Sequence, residues 1–185
     1  STLEILFDGA DLTGWQVLGD FSRVERGLCV DVPAGNGWAK SGLWSDRPMV
    51  GFGADRGAVQ LALVLDQAAT SDVLLTLDGA AGAEEWGVHD LRLHWTTRPE
   101  GGSHAALFYR QALLGEADLS QPVPERVSMH LDRAGVVRLD LPDGTTLESR
   151  VPSPPAAGWL LHVLSAAREL DAPLRLGLRR IELAH

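Results

Sequence analysis

The sequence predicts an all-β protein folded as two antiparallel sheets, a β-sandwich or jelly roll, and three observations lead there. Short runs alternate apolar with polar residues, turns ending in glycine punctuate the runs, and no long stretch keeps a helical period. The most legible stretch is ERVSMHLDRAGVVRLDLPDGTTLESRVP, Glu125 to Pro152. Val127, Met129 and Leu131 share one face of a first strand, Val137, Leu139 and Leu141 one face of a second, and Leu147 and Val151 one face of a third. If Arg133-Ala134-Gly135 and Pro142-Asp143-Gly144 are three-residue loops with glycine in the left-handed region, Leu131 pairs with Val137 and Leu139 with Leu147. Every apolar side chain then stays on one side. The same register lines up His130, Arg138 and Glu148 across the polar face.

The other elements follow in chain order. Ile5 to Phe7 reads as an edge strand, followed by a wrapping loop through Gly9, Asp11, Gly14 and Trp15. Ser22 to Val32 reads as a hairpin, with Val24 facing Leu28 across Glu25-Arg26-Gly27. Glycine-rich sequence from Pro33 to Phe52 sets Trp38 and Trp44 among small and polar residues, a loop pattern. Arg56 to Asp66 is apolar on both parities and should be a central strand. Val73 to Asp78 is the next strand, and the segment holding Gly82, Trp86 and Gly87 the next loop. Asp90 to Thr97 alternates strictly, with Leu91, Leu93 and Trp95 inward and Arg92, His94 and Thr96 outward. Ala105 to Arg110 is a further strand, and Gln111 to Pro124 an irregular connection suited to a lid or rim.

Pro152, Pro154 and Pro155 end the three-strand meander, because proline has no N–H to give to a ladder. Trp159 to Leu164 alternates again, and Ser165 to Leu170 has room for at most a short helix. The last strand starts at Pro173 or Leu174. Leu174, Leu176 and Leu178 share one parity while Ile181 and Leu183 share the other, so a bulge near Arg179-Arg180 keeps both sets buried. The sum is roughly ten or more short strands in one domain spanning residues 1–185.

Composition narrows the partners. Apolar residues make up 45% and charged residues 22%, as in ordinary folded proteins. The formal charge of -9 argues against nucleic acid and against an anionic membrane surface, both of which attract excess Lys and Arg. No apolar run approaches the roughly 18 residues of a membrane helix. Cys29 is the single cysteine, which leaves no internal disulfide and no thiolate zinc cluster, and a cytoplasmic setting is the simplest reading. A start at Ser1 suits a removed leader as well as a lost initiator methionine. No cofactor or metal motif is present: HxH and HExxH spacings are missing, and the histidines lie on separate strands.

The opening LFDGADLTGW, Leu6 to Trp15, resembles the start of the 3-keto-disaccharide hydrolase family. VERGLCV, Val24 to Val30, is similar to that family's first hairpin, Trp38 to Leu43 to the segment leading into its first long strand, and LGLRRIEL, Leu176 to Leu183, to its closing strand. In the middle, Ser71-Asp72-Val73-Leu74-Leu75 stands where many members carry an Asn-Ser-Gly-Ile type segment. The resemblance implies a concanavalin-like jelly roll with a groove on its concave face, and carbohydrate as the first substrate class to test.

Two groups of residues are therefore candidates for the site. In the polar row, Arg138 would anchor a substrate oxygen, Glu148 would orient it and His130 would act as acid or base; the alternative is a cross-strand salt bridge on a wet face. Arg92 and His94 project together from their strand, and Trp38, Trp44 and Trp86 offer indole faces for a sugar ring or another flat small molecule; the alternative is that they anchor loops. A paired-carboxylate glycosidase mechanism finds no matching strand signature, since Glu116-Ala117-Asp118 ends in Gln121 rather than a second glutamate. Three roles follow from these sets: an enzyme with hydrolase or lyase chemistry on glycosides, a non-catalytic carbohydrate-binding module, or a protein acting on an apolar small molecule such as a polyketide. The first predicts a deep pocket holding Arg92, His94 or the His130 row, the second an exposed tryptophan platform, and the third a greasy cavity between the sheets.

Overall fold

The computed structural model describes residues 2–19, 21–25, 27–32, 39–66, 72–79, 90–152, 154–167 and 174–185. Among them there are fifteen strands and no helix: β1 (Leu3–Phe7), β2 (Trp15–Leu18), β3 (Phe21–Val24), β4 (Gly27–Val32), β5 (Ala39–Ser45), β6 (Ala58–Leu65), β7 (Asp72–Asp78), β8 (Leu91–Thr97), β9 (Ser103–Tyr109), β10 (Ala112–Leu119), β11 (Arg126–Asp132), β12 (Val136–Asp140), β13 (Thr146–Arg150), β14 (Leu160–Ala167) and β15 (Leu174–Ala184). They form two antiparallel sheets. The first runs β13-β12-β11-β6-β15-β4-β3 with β1 added on β15, and the second runs β10-β9-β8-β7-β14-β5-β2. The layers enclose one apolar cluster that includes Leu61, Leu63, Met129 and Ile181 from the first sheet and Leu75, Leu93, Trp95 and Val163 from the second. Trp15, Trp95 and Trp159 all belong to it, as their strand positions predict.

The meander has the predicted register: Leu131 pairs with Val137 and Leu139 with Leu147. Gly135 and Gly144 both hold positive φ, at 95° and 85°, and each donates its N–H back across its loop. β6 is central, between β11 and β15, as expected, but it is fully buried only on the parity of Val59, Leu61, Leu63 and Leu65; on the other, Ala62 is buried, Gln60 and Val64 are half-buried and Ala58 is exposed. In β15 the pairing shifts between Leu178 and Arg180, which lets Leu176 and Leu178 bury on one parity and Ile181 and Leu183 on the other.

Four expectations are corrected. In the first hairpin Val24 pairs with Gly27 and not with Leu28, so Val24 is exposed. The reason is close packing at Gly27, where a Cβ would lie 2.3 Å from the Leu178 carbonyl oxygen; the glycine is needed inside the ladder, not in the turn. Trp44 lies on strand β5 and not in a loop, its neighbours Leu43 and Ser45 being buried inward. Small residues hid this strand: Ser45 Oγ accepts the Leu161 N–H at 2.9 Å, and at Gly42 a Cβ would stand 2.1 Å from the Val163 carbonyl oxygen. The connection after β9 is largely a strand, β10, whose alternation is broken by a register shift between Leu113 and Gly115. Finally, Ser165 to Ala167 continue β14 as strand, with Ser165 opposite Ser41; the remainder of the expected helix lies outside the described residues.

Candidate functional site on the outer face of the second sheet

The two predicted groups of site residues lie on opposite surfaces of the sandwich. His130, Arg138 and Glu148 are aligned as expected on β11, β12 and β13 and point away from the core on the first sheet. The carboxylate that His130 and Arg138 share is Asp140, not Glu148: His130 Nε2 donates to its Oδ2 at 2.7 Å, and Arg138 Nε lies 3.4 Å from its Oδ1. The row lines an open cavity of about 470 Å³ together with Gln60, Asp132 and His185. Its side chains are roughly a third to a half exposed, the setting of a solvated ion pair.

The second sheet differs in its polarity. Inward positions of β7, β8 and β14 are leucine, valine and tryptophan, so the opposite parity should be wet. Instead Asp72 is 1%, Thr76 0%, Asp78 2% and His162 2% exposed. Burying polar groups is costly unless they are bonded to one another, and most of these are. His162 Nδ1 lies 2.9 Å from Thr76 Oγ1 and 3.2 Å from Asp78 Oδ2, while Asp78 Oδ1 accepts the Asp90 N–H at 2.9 Å. Asp72 accepts from His94 Nε2 at 3.1 Å through Oδ1, and its Oδ2 is buried with no hydrogen bond.

Register explains why these side chains meet. His162 stands opposite Trp44 on one side and Thr76 on the other, Thr76 opposite Arg92, and Arg92 opposite Phe108. Gln16 completes the row on β2, accepting the Trp44 Nε1–H at 2.5 Å. One line of side chains, Gln16, Trp44, His162, Thr76, Arg92 and Phe108, thus crosses six strands. Its middle is polar and buried, and its flanks carry half-buried rings: Trp44 stands 5.8 Å from the His162 ring, and the Arg92 guanidinium carbon lies 4.4 Å over the Phe108 ring. Burial pushes the Arg92 guanidinium down from its ordinary value, yet arginine stays cationic in proteins.

Three of the predicted site residues, Trp44, Arg92 and His94, therefore share this face, Trp44 on β5 and the other two on β8. Trp38 and Trp86 lie outside the described residues. Sequence reasoning passed over Asp72, Thr76 and Asp78, although DVLLTLD places all three on one parity of an otherwise apolar strand. Among the described residues no group of three His, Cys, Asp or Glu side chains is arranged to hold a metal ion.

Solved structures place the architecture. The exoplasmic/lumenal domain of VIP36, solved with Ca²⁺ and Man3GlcNAc, superposes with a TM-score of 0.67 at 11% identity, covering 100% of this chain and 90% of that one. This is a lectin-like jelly roll. The carbohydrate recognition domain of Emp46p aligns at a TM-score of 0.64 and 9% identity over 97% of this chain and 92% of its own. An alginate lyase from Pseudomonas aeruginosa follows at 0.57 and 14%, over 95% and 99%. No protein-family model matches the sequence, and no characterised protein matches it by sequence.

Proposed function

We propose that the protein binds a saccharide across the outer face of its second sheet. The observation that carries this reading is the six-strand row. It offers ring faces at Trp44 and Phe108 for the C–H side of a sugar and reachable polar groups beside them at Gln16 and Arg92 for its hydroxyls, while the buried Thr76 and His162 hold the row from within. That several structural neighbours are carbohydrate-recognition domains supports the same class of ligand. Binding to an oligosaccharide panel, keto-glycosides included, is measured by calorimetry on the wild type and on Trp44→Ala. The variant should bind the best ligand about tenfold more weakly or worse, the equivalent of one lost stacking contact. Equal affinity, or no saccharide bound at all, would rule the reading out.

A catalytic version is favoured by one feature, the pair His94 and Asp72. The imidazole is 41% exposed, while the carboxylate behind it is buried, which is how a general acid–base histidine is held in one tautomer and orientation. Hydrolase or lyase action on a glycoside, as the likeness of LFDGADLTGW to the 3-keto-disaccharide hydrolases suggests, would run through that ring. His162 is too enclosed for the same task. Turnover of the bound saccharide that disappears in His94→Ala, with binding retained, separates an enzyme from a binding module.

A further inference from the structure

Arg92 stands out among the half-buried arginines of the described residues. Arg56, Arg98, Arg138 and Arg179 each lie within ion-pair distance of a carboxylate. Among the described residues Arg92 has no carboxylate partner and no hydrogen bond; its one contact of note is the Phe108 ring, and burial pushes its guanidinium down from the ordinary value. A ring contact of this kind engages the guanidinium as a charge and leaves its in-plane N–H donors unused. A partly desolvated cation without a counter-charge is costly, and this one stands on β8, an interior strand of its sheet, rather than on an edge strand.

We infer that the saccharide bound on this face carries a carboxylate, and that Arg92 is the group that receives it; the inference rests on the saccharide-binding reading above. The planar fork of a guanidinium matches a carboxylate through two parallel N–H···O bonds. The same fork also fits a phosphate or sulfate, whose additional oxygens are met by further cationic or backbone donors. The nearest basic side chain along the strand, His94, is already committed to Asp72. At a net charge of -9 the protein repels acidic ligands at long range, so recognition of a uronate has to come from a local cation of this kind.

The test is calorimetry on the full chain with tetrasaccharides of galacturonate, mannuronate and guluronate, each beside its carboxyl-reduced counterpart and a sulfated neutral oligosaccharide. At least one uronate should bind about 10- to 100-fold more tightly than its reduced form, the worth of a hydrogen-bonded charge. Arg92→Gln should erase that ratio, so that the acidic and reduced forms bind the variant alike, and Arg92→Lys should restore part of it. Melting curves of both variants confirm that they fold. Equal binding of the acidic and reduced forms by the wild type, preference for the sulfated sugar, or an acid preference that survives Arg92→Gln overturns the inference while leaving saccharide binding intact. If neither these sugars nor the neutral panel binds at all, the saccharide reading fails and this inference with it.

Discussion

Gly135 and Gly144 close the two loops of the β11–β12–β13 meander with nearly the same backbone, φ 95° and 85°, so placing a side chain on either costs the same conformational strain, about 1–2 kcal/mol. Their surroundings differ. A Cβ at Gly144 meets nothing within 4 Å, whereas one at Gly135 would lie 2.2 Å from the backbone oxygen of Val151. Real carbon–oxygen contacts need roughly 1 Å more than that, and the oxygen belongs to main chain that cannot rotate away. Relief has to move Val151 and its 2.9 Å bond to the Gly135 carbonyl, a loss of about 1 kcal/mol for the bond with repacking strain of about 1–3 kcal/mol added. Gly144→Ala should therefore cost about 1–2 kcal/mol and Gly135→Ala about 3 kcal/mol or more. Urea unfolding followed by tryptophan fluorescence measures both, and the comparison is valid if the slope m is unchanged. Equal losses at the two glycines, or a larger one at Gly144, would refute the contact between the first loop and Val151.

Two further outcomes are expected. Glu182 is buried between Arg126 and Arg180, and its hydrogen bond from Arg126, 2.8 Å away, holds its carboxyl below the usual carboxylate range. A depressed folded-state value means that its stabilisation is complete above the unfolded value and is lost as pH falls through the folded one; the urea-midpoint gap between wild type and Glu182→Gln should be widest near neutral pH and close in acid, and a gap independent of pH would contradict the pairing. Arg138→Ala removes an exposed ion pair on the other sheet, so it should shift stability by no more than about 1 kcal/mol and leave saccharide affinity untouched; a loss of affinity there would move the site to the His130 row.

How much of this could be read beforehand depended on where the determining contacts lie along the chain. The meander was legible because its turns, its alternation and its partners all fall within one short stretch, and Leu131 finds Val137 only a few residues on. β5 and β10 were not, since Gly42 and the two serines blur one alternation and the shift at Leu113 breaks the other. The site divided in the same way. Arg92, His94 and Trp44 were each conspicuous as single residues, but the partners that give them meaning come from distant strands. Thr76 meets His162 across 86 positions, and nothing local announces that register. Thr76 and Asp78 look like ordinary interruptions of a strand until that pairing is known.

The positions of β14 and β15 bear on how the chain is made. Each is synthesised late, yet neither is an edge: β14 lies between β5 and β7, and β15 between β4 and β6. A ribosome-bound chain that has reached residue 158 therefore holds both sheets as separated halves, with facing rows of unpaired N–H and C=O groups on four strands and much of the leucine-rich interior uncovered. Closure of the two layers waits for the last strands to slide into gaps left between strands made long before. A messenger cut short ahead of Leu160 would thus yield not a smaller sandwich but a chain with two open slots, a substrate for chaperones or for its own neighbours on the polysome.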